Sequence, residues 1–190
     1  MITVYQPLAT ALKEAGVQAE FVTGGLTADE LRVVQNAART DQSVMEFTAD
    51  PERFLDRTAT QNWLSKRRYI CKLVGADGEL LGLAWLGQKS IPEYATRKLK
   101  PELSARYGHT LSLRTYGNLR GKHLAGPFVQ VALNQYIQNC GEANPGFWAE
   151  TSAANLPLQR VISKLGFVKI ADEPERNKLV YVWPFPASSS

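Results

Sequence analysis

Arg120-Gly121-Lys122-His123 stands between an alternating segment, His109 to Tyr116, and a helical stretch running from near Leu124 to Asn139. A strand, a short basic turn with glycine and a helix start can together grip a pyrophosphate. Free N–H groups at the helix start point outward, and the helix dipole adds partial positive charge. Gly121 permits close approach, while Arg120, Lys122 and a protonated His123 add countercharge. The same residues also suit a solvated loop ahead of an amphipathic helix, so the local pattern leaves both readings open. For proton transfer the chain offers Glu150 at the end of a fifth strand, Glu46 in a loop between the first helices, and His109. Each has a plainer role available, the carboxylates as solvated or ion-paired groups and the histidine as a structural one. Trp85 and Trp148 read as core or cleft wall.

The elements that would position these groups follow from caps, breakers and periodicity. Pro7 to Gly16 reads as a short helix and Gln18 to Val22 as a first strand. Thr27-Ala28-Asp29-Glu30 is a capping box ahead of Leu31, Val34 and Ala38 at helical spacing. Asp50-Pro51 predicts the N-cap and first residue of a second helix, with Leu55, Ala59 and Trp63 on its buried face. Tyr69 to Val74 and Glu79 to Leu86 form a hairpin through Ala76-Asp77-Gly78. Residues 88–108 read as an insert, and His109 to Tyr116 as the fourth strand. Pro127 belongs in the first turn of the next helix, where its missing N–H does no harm. Phe147 to Thr151 is a fifth strand. Asn155 caps a last helix carrying Leu158, Val161, Ile162 and Leu165, and Gly166 stops it. Phe167 to Ile170 and Lys178 to Trp183 close the sheet. The expected order is β-α-α-β-β-β-α-β-α-β-β.

Composition sets the bounds. The 190 residues are 44% hydrophobic and 21% charged, enough apolar material for one packed α/β domain over residues 1–190, with residues 1–17 as an N-terminal helical extension. A net charge of +4, spread rather than clustered, suits a phosphorylated small molecule and does not by itself argue for nucleic acid, so no nucleic-acid partner is expected. Lys66-Arg67-Arg68 reads as a solvated helix end. Cys71 and Cys140 have no metal-ligand spacing and form no disulfide framework, and Cys71 lies in an apolar strand pattern. Residues 1–16 lack a secretory pattern and no apolar run reaches transmembrane length, so the expectation is a cytoplasmic protein with no membrane partner and no metal.

Leu113 to Ala125 resembles the acyl-CoA motif of the GNAT N-acetyltransferases, Arg/Gln-x-x-Gly-x-Gly/Ala between a strand and a helix. Arg120 and Ala125 match its first and last positions, and His123 stands where the family has glycine. Downstream, Trp148 to Thr151, then Asn155, then Lys164-Leu165-Gly166-Phe167 is similar to the family's strand–helix–Leu-Gly-Phe segment, and Trp148 to Phe167 also resembles the ribosomal-protein N-terminal acetyltransferase branch. The resemblance covers residues 18–183. It implies a GNAT fold, a single mixed, splayed central sheet flanked by helices, with acetyl-CoA as cosubstrate and an amine of a protein or small molecule as acceptor. A homodimer is compatible with it.

The resemblance also implies site residues. The pantetheine arm would pair with backbone at Leu113 and Thr115. The pyrophosphate would rest on Arg120, Gly121, Lys122, His123, Leu124 and Ala125, with the thioester near Glu150 and Asn155. The amine attacks directly, which requires a neutral amine, a polarised carbonyl and a proton for the thiolate. Here the sequence departs from the family. Ile162 replaces the tyrosine that supplies that proton in many members, and Leu158 the serine of the ribosomal branch. The two share a helix face, while Ser163 is turned about 100° away. The fourth strand lacks the carboxylate many relatives use as base, so Glu150 and Glu46 are the remaining base candidates, with Glu150 taken as the catalytic residue. The alternative reading is a non-catalytic acyl-CoA-binding or protein-interaction module on the same fold. The acceptor would meet residues 41–50, 88–108 and 171–178, whose Glu46, Asp50, Glu93, Asp172, Glu173 and Glu175 suit a cationic amine.

Overall fold

The computed structural model describes residues 6–97, 105–143 and 145–183. Seven strands form one sheet: β1 (Ala19–Thr23), β2 (Tyr69–Gly75), β3 (Leu80–Gln88), β4 (His109–Thr115), β5 (Phe147–Ser152), β6 (Val168–Glu173) and β7 (Lys178–Trp183). Their spatial order is β1-β2-β3-β4-β5-β7-β6. Every neighbouring pair is antiparallel except β4 with β5, which run parallel through the crossover helix between them. This is the mixed, open sheet that the resemblance implies.

Helices cover both faces. One layer contains α1 (Gln6–Glu14), α7 (Ala125–Asn139) and α8 (Leu156–Lys164). These close over a core that includes Leu8, Phe128, Leu133, Phe147 and Ile162. Because α1 buries Leu8 and Leu12 in that core, the N-terminal helix is part of the packed layer. Gly82 on β3 makes room there, since a Cβ would come within 3.2 Å of Leu119 and Phe128.

The opposite layer is built from α2 (Ala28–Thr40), α3 (Gln42–Phe47), α4 (Asp50–Arg53) and α5 (Arg57–Leu64), over Val34, Phe54, Trp63, Leu83 and Trp85. The capping box at its entry is formed, with the Glu30 N–H donating to Thr27 Oγ1 at 3.2 Å and the Thr27 N–H to Glu30 Oε2 at 2.7 Å. Glu30 also receives Lys72 Nζ of β2 at 2.7 Å, which ties α2 to the sheet. Burial pushes the Glu30 carboxyl up, but the Lys72 and Thr27 hydrogen bonds outweigh it and leave its pKa below the ordinary carboxylate range. A third apolar group, including Trp148, Val180 and Tyr107, packs under α6 (Glu93–Thr96).

Three expectations need correction. The helix opening at Asp50 is two short helices. Asp56 adopts an extended backbone and accepts from the Ala59 N–H at 2.8 Å, starting a new helix in mid-course. The apolar face therefore rotates: Phe54 is fully buried and Leu55 is 68% exposed. Asp50 is not a cap, since Ala49 holds that position and Asp50 lies buried inside α4. The Lys66-Arg67-Arg68 run is not wholly solvated, because Arg68 folds back over the Trp63 ring, 4.7 Å from its centroid. Of the insert, α6 is seen, while residues 98–104 lie outside the described residues. Cys71 is core as expected, its thiol pushed up to about 12 by burial.

Candidate active site

The site begins where two strands part. β4 and β5 pair only at His109↔Phe147 and Thr110↔Trp148, after which the ladder stops although both strands continue. The His109 N–H bonds Gly146 O on the β5 side, and the Tyr116 N–H bonds Leu81 O on the β3 side. Strand alternation therefore turns the backbone groups of Leu111, Leu113 and Thr115 into the gap. The two carbonyls nearest its mouth are taken by side chains. Arg114 Nη1 donates to Leu113 O at 2.6 Å and Arg120 Nε to Thr115 O at 2.9 Å. Among the described residues, the N–H groups of Leu113 and Thr115 are left as edge donors facing the gap.

Beyond Thr115 the chain makes a 3-10 turn (Gly117–Leu119) and a tight loop, and then enters α7. Gly121 has φ +74°, and a Cβ there would meet nothing within 4 Å, so its surroundings are open to a ligand. No side chain caps α7, and Pro127 occupies its first turn. The N–H groups of Ala125 and Gly126 thus have no acceptor within the helix. Lys122 and His123 are exposed, and His123 takes φ +58°, the left-handed conformation natural to glycine. This open, uncapped, glycine-bearing turn fits a pyrophosphate.

The Arg120 guanidinium points elsewhere, to Asp41 Oδ2 at 2.6 Å, the side chain that caps α3. Burial raises the Asp41 carboxyl, but the Arg120, Ser43 and Val44 hydrogen bonds hold it below the usual range. Arg120 thus positions the loop against α3. Asp41, Glu46 and Arg120 line an open depression beside it.

Across the gap, alternation places Glu150 on the face of β5 shared with Trp148, away from α7. Tyr94 of α6 donates its hydroxyl to Glu150 Oε2 at 2.6 Å, and Lys178 Nζ stands 3.8 Å from Oε1. Burial, then the Glu150 hydrogen bond and charge, push the Tyr94 phenol above its ordinary pKa. Sequence reasoning missed both partners. Lys178 was findable, since Glu150 pairs with Val180 and Lys178 lies two residues away on the same face. Tyr94 was not, because the insert that carries it has no periodicity to orient it.

Asn155 caps α8, accepting from the Leu158 N–H at 3.2 Å. Ile162 is fully buried, and Leu158 is half-buried against the same core. His109 is also buried, its Nδ1 2.8 Å from Tyr136 Oη and its Nε2 2.9 Å from Glu142 Oε2, which suits a structural role at the closed end of the gap. Trp85 and Trp148 are buried as core.

Among the acids expected to face an acceptor, Asp50 is unavailable. It is 1% exposed, accepts from Arg114 Nε at 2.6 Å and pairs with Arg53 Nη1 at 3.0 Å. Burial raises its pKa, but Arg114 and then Arg53 overcome this and leave it low. Glu46 and Glu175 are exposed. Glu93 pairs with Arg97 and Asp172 with Lys169 at the surface. Among the described residues no group of three or more metal-ligating side chains is gathered, and no helix is long and apolar enough to cross a membrane.

No protein-family model matches the sequence, and no curated protein matches it. Solved structures do. A GNAT-family acetyltransferase from Streptococcus agalactiae superposes with a TM-score of 0.58 at 17% identity, over 90% of this chain and 99% of that one. An acetyltransferase from Agrobacterium tumefaciens gives 0.56 at 15% identity, over 88% and 92%. A ribosomal-protein-alanine N-acetyltransferase from Brucella melitensis gives 0.54 at 14% identity, over 85% and 96%. At such identities the likeness is one of fold, and the fold is that of the GNAT acetyltransferases.

Proposed function

We propose that the chain is an acetyl-CoA-dependent N-acetyltransferase acting on an amine of a protein or small molecule. The observation that carries this reading is the parting of β4 and β5 after Thr110, beside an uncapped helix N-terminus. The gap exposes the Leu113 and Thr115 N–H groups to amide carbonyls of a pantetheine arm. Gly121, Leu124 and Ala125 would cradle the pyrophosphate through backbone, with Lys122 as outlying charge, His123 beside it and Asn155 flanking the gap from α8. Bound there, the cosubstrate supplies an activated acyl thioester.

The chain's own contribution is then positioning and proton handling. Glu150 accepts the amine proton at the carboxylate that Tyr94 and Lys178 hold in place. Edge donors and orientation supply the rest, an effect large enough to carry a reaction with modest acid–base help. The leaving thiolate takes its proton from solvent, because Leu158 and Ile162 present an apolar face.

The test is CoA release from acetyl-CoA across an amine panel, with wild type and Glu150→Gln. Turnover by the wild type and a loss of about 100-fold in the variant, at the low end for a positioned base, support the assignment. Acetyl-CoA binding without release for any amine would favour the second reading, a non-catalytic acyl-CoA-binding module. That reading draws on the fully buried Ile162, an apolar side chain at the position where many members of the resembled family carry the proton-donating tyrosine.

A further inference from the structure

We propose that the cleft between α4, α5 and the start of β2 binds a small oxyanion, a phosphate or a carboxylate, independently of the acyl-CoA site. The cleft is about 200 Å³ and is walled by Arg53, Trp63, Lys66 and Arg68, with Glu52 at its edge. That volume suits an anion of a few heavy atoms.

Cations outnumber carboxylates at this place. Arg68 is half-buried, stacked on Trp63, and gives one N–H to the Trp63 carbonyl. No carboxylate among the described residues forms an ion pair with it. Arg53 spends Nη1 on Asp50, but that carboxylate is already shared with Arg114. Four cations, counting Lys66, thus gather around two carboxylates, Asp50 and Glu52. Burial and the nearby Arg53 charge push the Arg68 guanidinium down to about 10, a rare cost for the most strongly cationic side chain. A guanidinium in this position holds several unused N–H donors in a fork matched to carboxylate and phosphate.

Trp63 supplies the apolar wall on which Arg68 rests, while its indole N–H is buried away from the cleft and takes no part in the site. The pyrophosphate turn is a different place. It lies at the mouth of the β4–β5 gap, whereas Arg68 precedes β2, on the far side of β3.

The experiment is thermal denaturation of the full chain with inorganic phosphate, acetate or chloride at matched ionic strength. An anion that binds only the folded state at ten times its dissociation constant should raise Tm by about 3–6 °C for a chain of this size. Phosphate alone, acetate alone or both exceeding chloride supports the site and assigns its ligand class. Arg68→Gln should weaken that binding by about 10-fold or more. Lys66→Gln, at an exposed position, should weaken it by roughly 3-fold as the loss of one screened charge. Gly121→Val should leave it unchanged. Neither anion exceeding chloride overturns the proposal, as does a shift that survives both cleft variants or disappears in Gly121→Val. Acetyl-CoA binding is scored separately, so either site can fail alone.

Discussion

His123→Gly should stabilise this protein although it removes a side chain. His123 sits at φ +58° in an exposed turn, where a Cβ crowds the following carbonyl. That conformation costs an L-residue about 1–2 kcal/mol and glycine nothing. Against this, glycine loses more freedom on folding, worth about 0.5–1 kcal/mol. The exposed imidazole has no hydrogen bond to forfeit among the described residues, so the balance is a gain of about 0.5–1 kcal/mol. For 190 residues that is a Tm increase of roughly 1–4 °C, readable by calorimetry. Lys122→Gly is the control. Lys122 is also exposed but not left-handed, so only the entropic cost applies and Tm should fall. Two variants moving in opposite directions isolate backbone strain from loss of charge. If His123→Gly lowers Tm, or both variants fall alike, the strain argument is refuted. Acetyl-CoA titrations on the same samples should show binding retained or tightened, since glycine frees backbone without removing a cradle donor.

Gly121→Val should weaken acetyl-CoA binding far more than Lys122→Ala, because φ +74° and close approach are steric demands whereas one exposed charge is screened; titration calorimetry decides, and equal losses would sink the backbone cradle. Ile162→Tyr should lower stability by about 1–3 kcal/mol in denaturant melts through overpacking a fully buried site, and a stable, faster enzyme would show that this side chain can reach the gap. Asp50→Asn should cost about 3–5 kcal/mol at pH 7 by stranding Arg114. The Asp50 pKa is depressed on folding, so its contribution is full above the ordinary carboxylate range and lost as pH falls through the depressed value. The gap from wild type should accordingly narrow below about pH 4, and a gap that widens in acid would contradict the sign.

Local signals in the sequence carried most of the fold. Thr27 with Glu30, Pro127 in a first turn, Asn155 as a cap and Gly166 at φ +86° are each written within a few residues, and each forms as expected. The failures are of another kind. Leu55 was misplaced because one competing cap, Asp56, resets the helix and turns its apolar face, a contest that periodicity alone does not register. Asp50 looked like a cap because nothing near it in sequence reveals Arg114, sixty-four residues away.

That hidden pair explains how the gap stays open. A parallel neighbour offers β4 further hydrogen bonds, so two strands in register at Thr110 should continue to zip unless something holds them apart. Two ion pairs do. Arg114 reaches from β4 to Asp50 in α4, and Arg120 from the following loop to Asp41 at the start of α3. Both anchor the end of β4 to the helical layer instead of to β5. Each also places a guanidinium N–H on an edge carbonyl, Leu113 O or Thr115 O, that β5 would otherwise satisfy. The carbonyls are thereby occupied and the N–H groups are not, so the edge left to a ligand is one of donors. An incoming chain of amide carbonyls meets that edge without competition, whereas a neighbouring strand, which must both give and accept, does not.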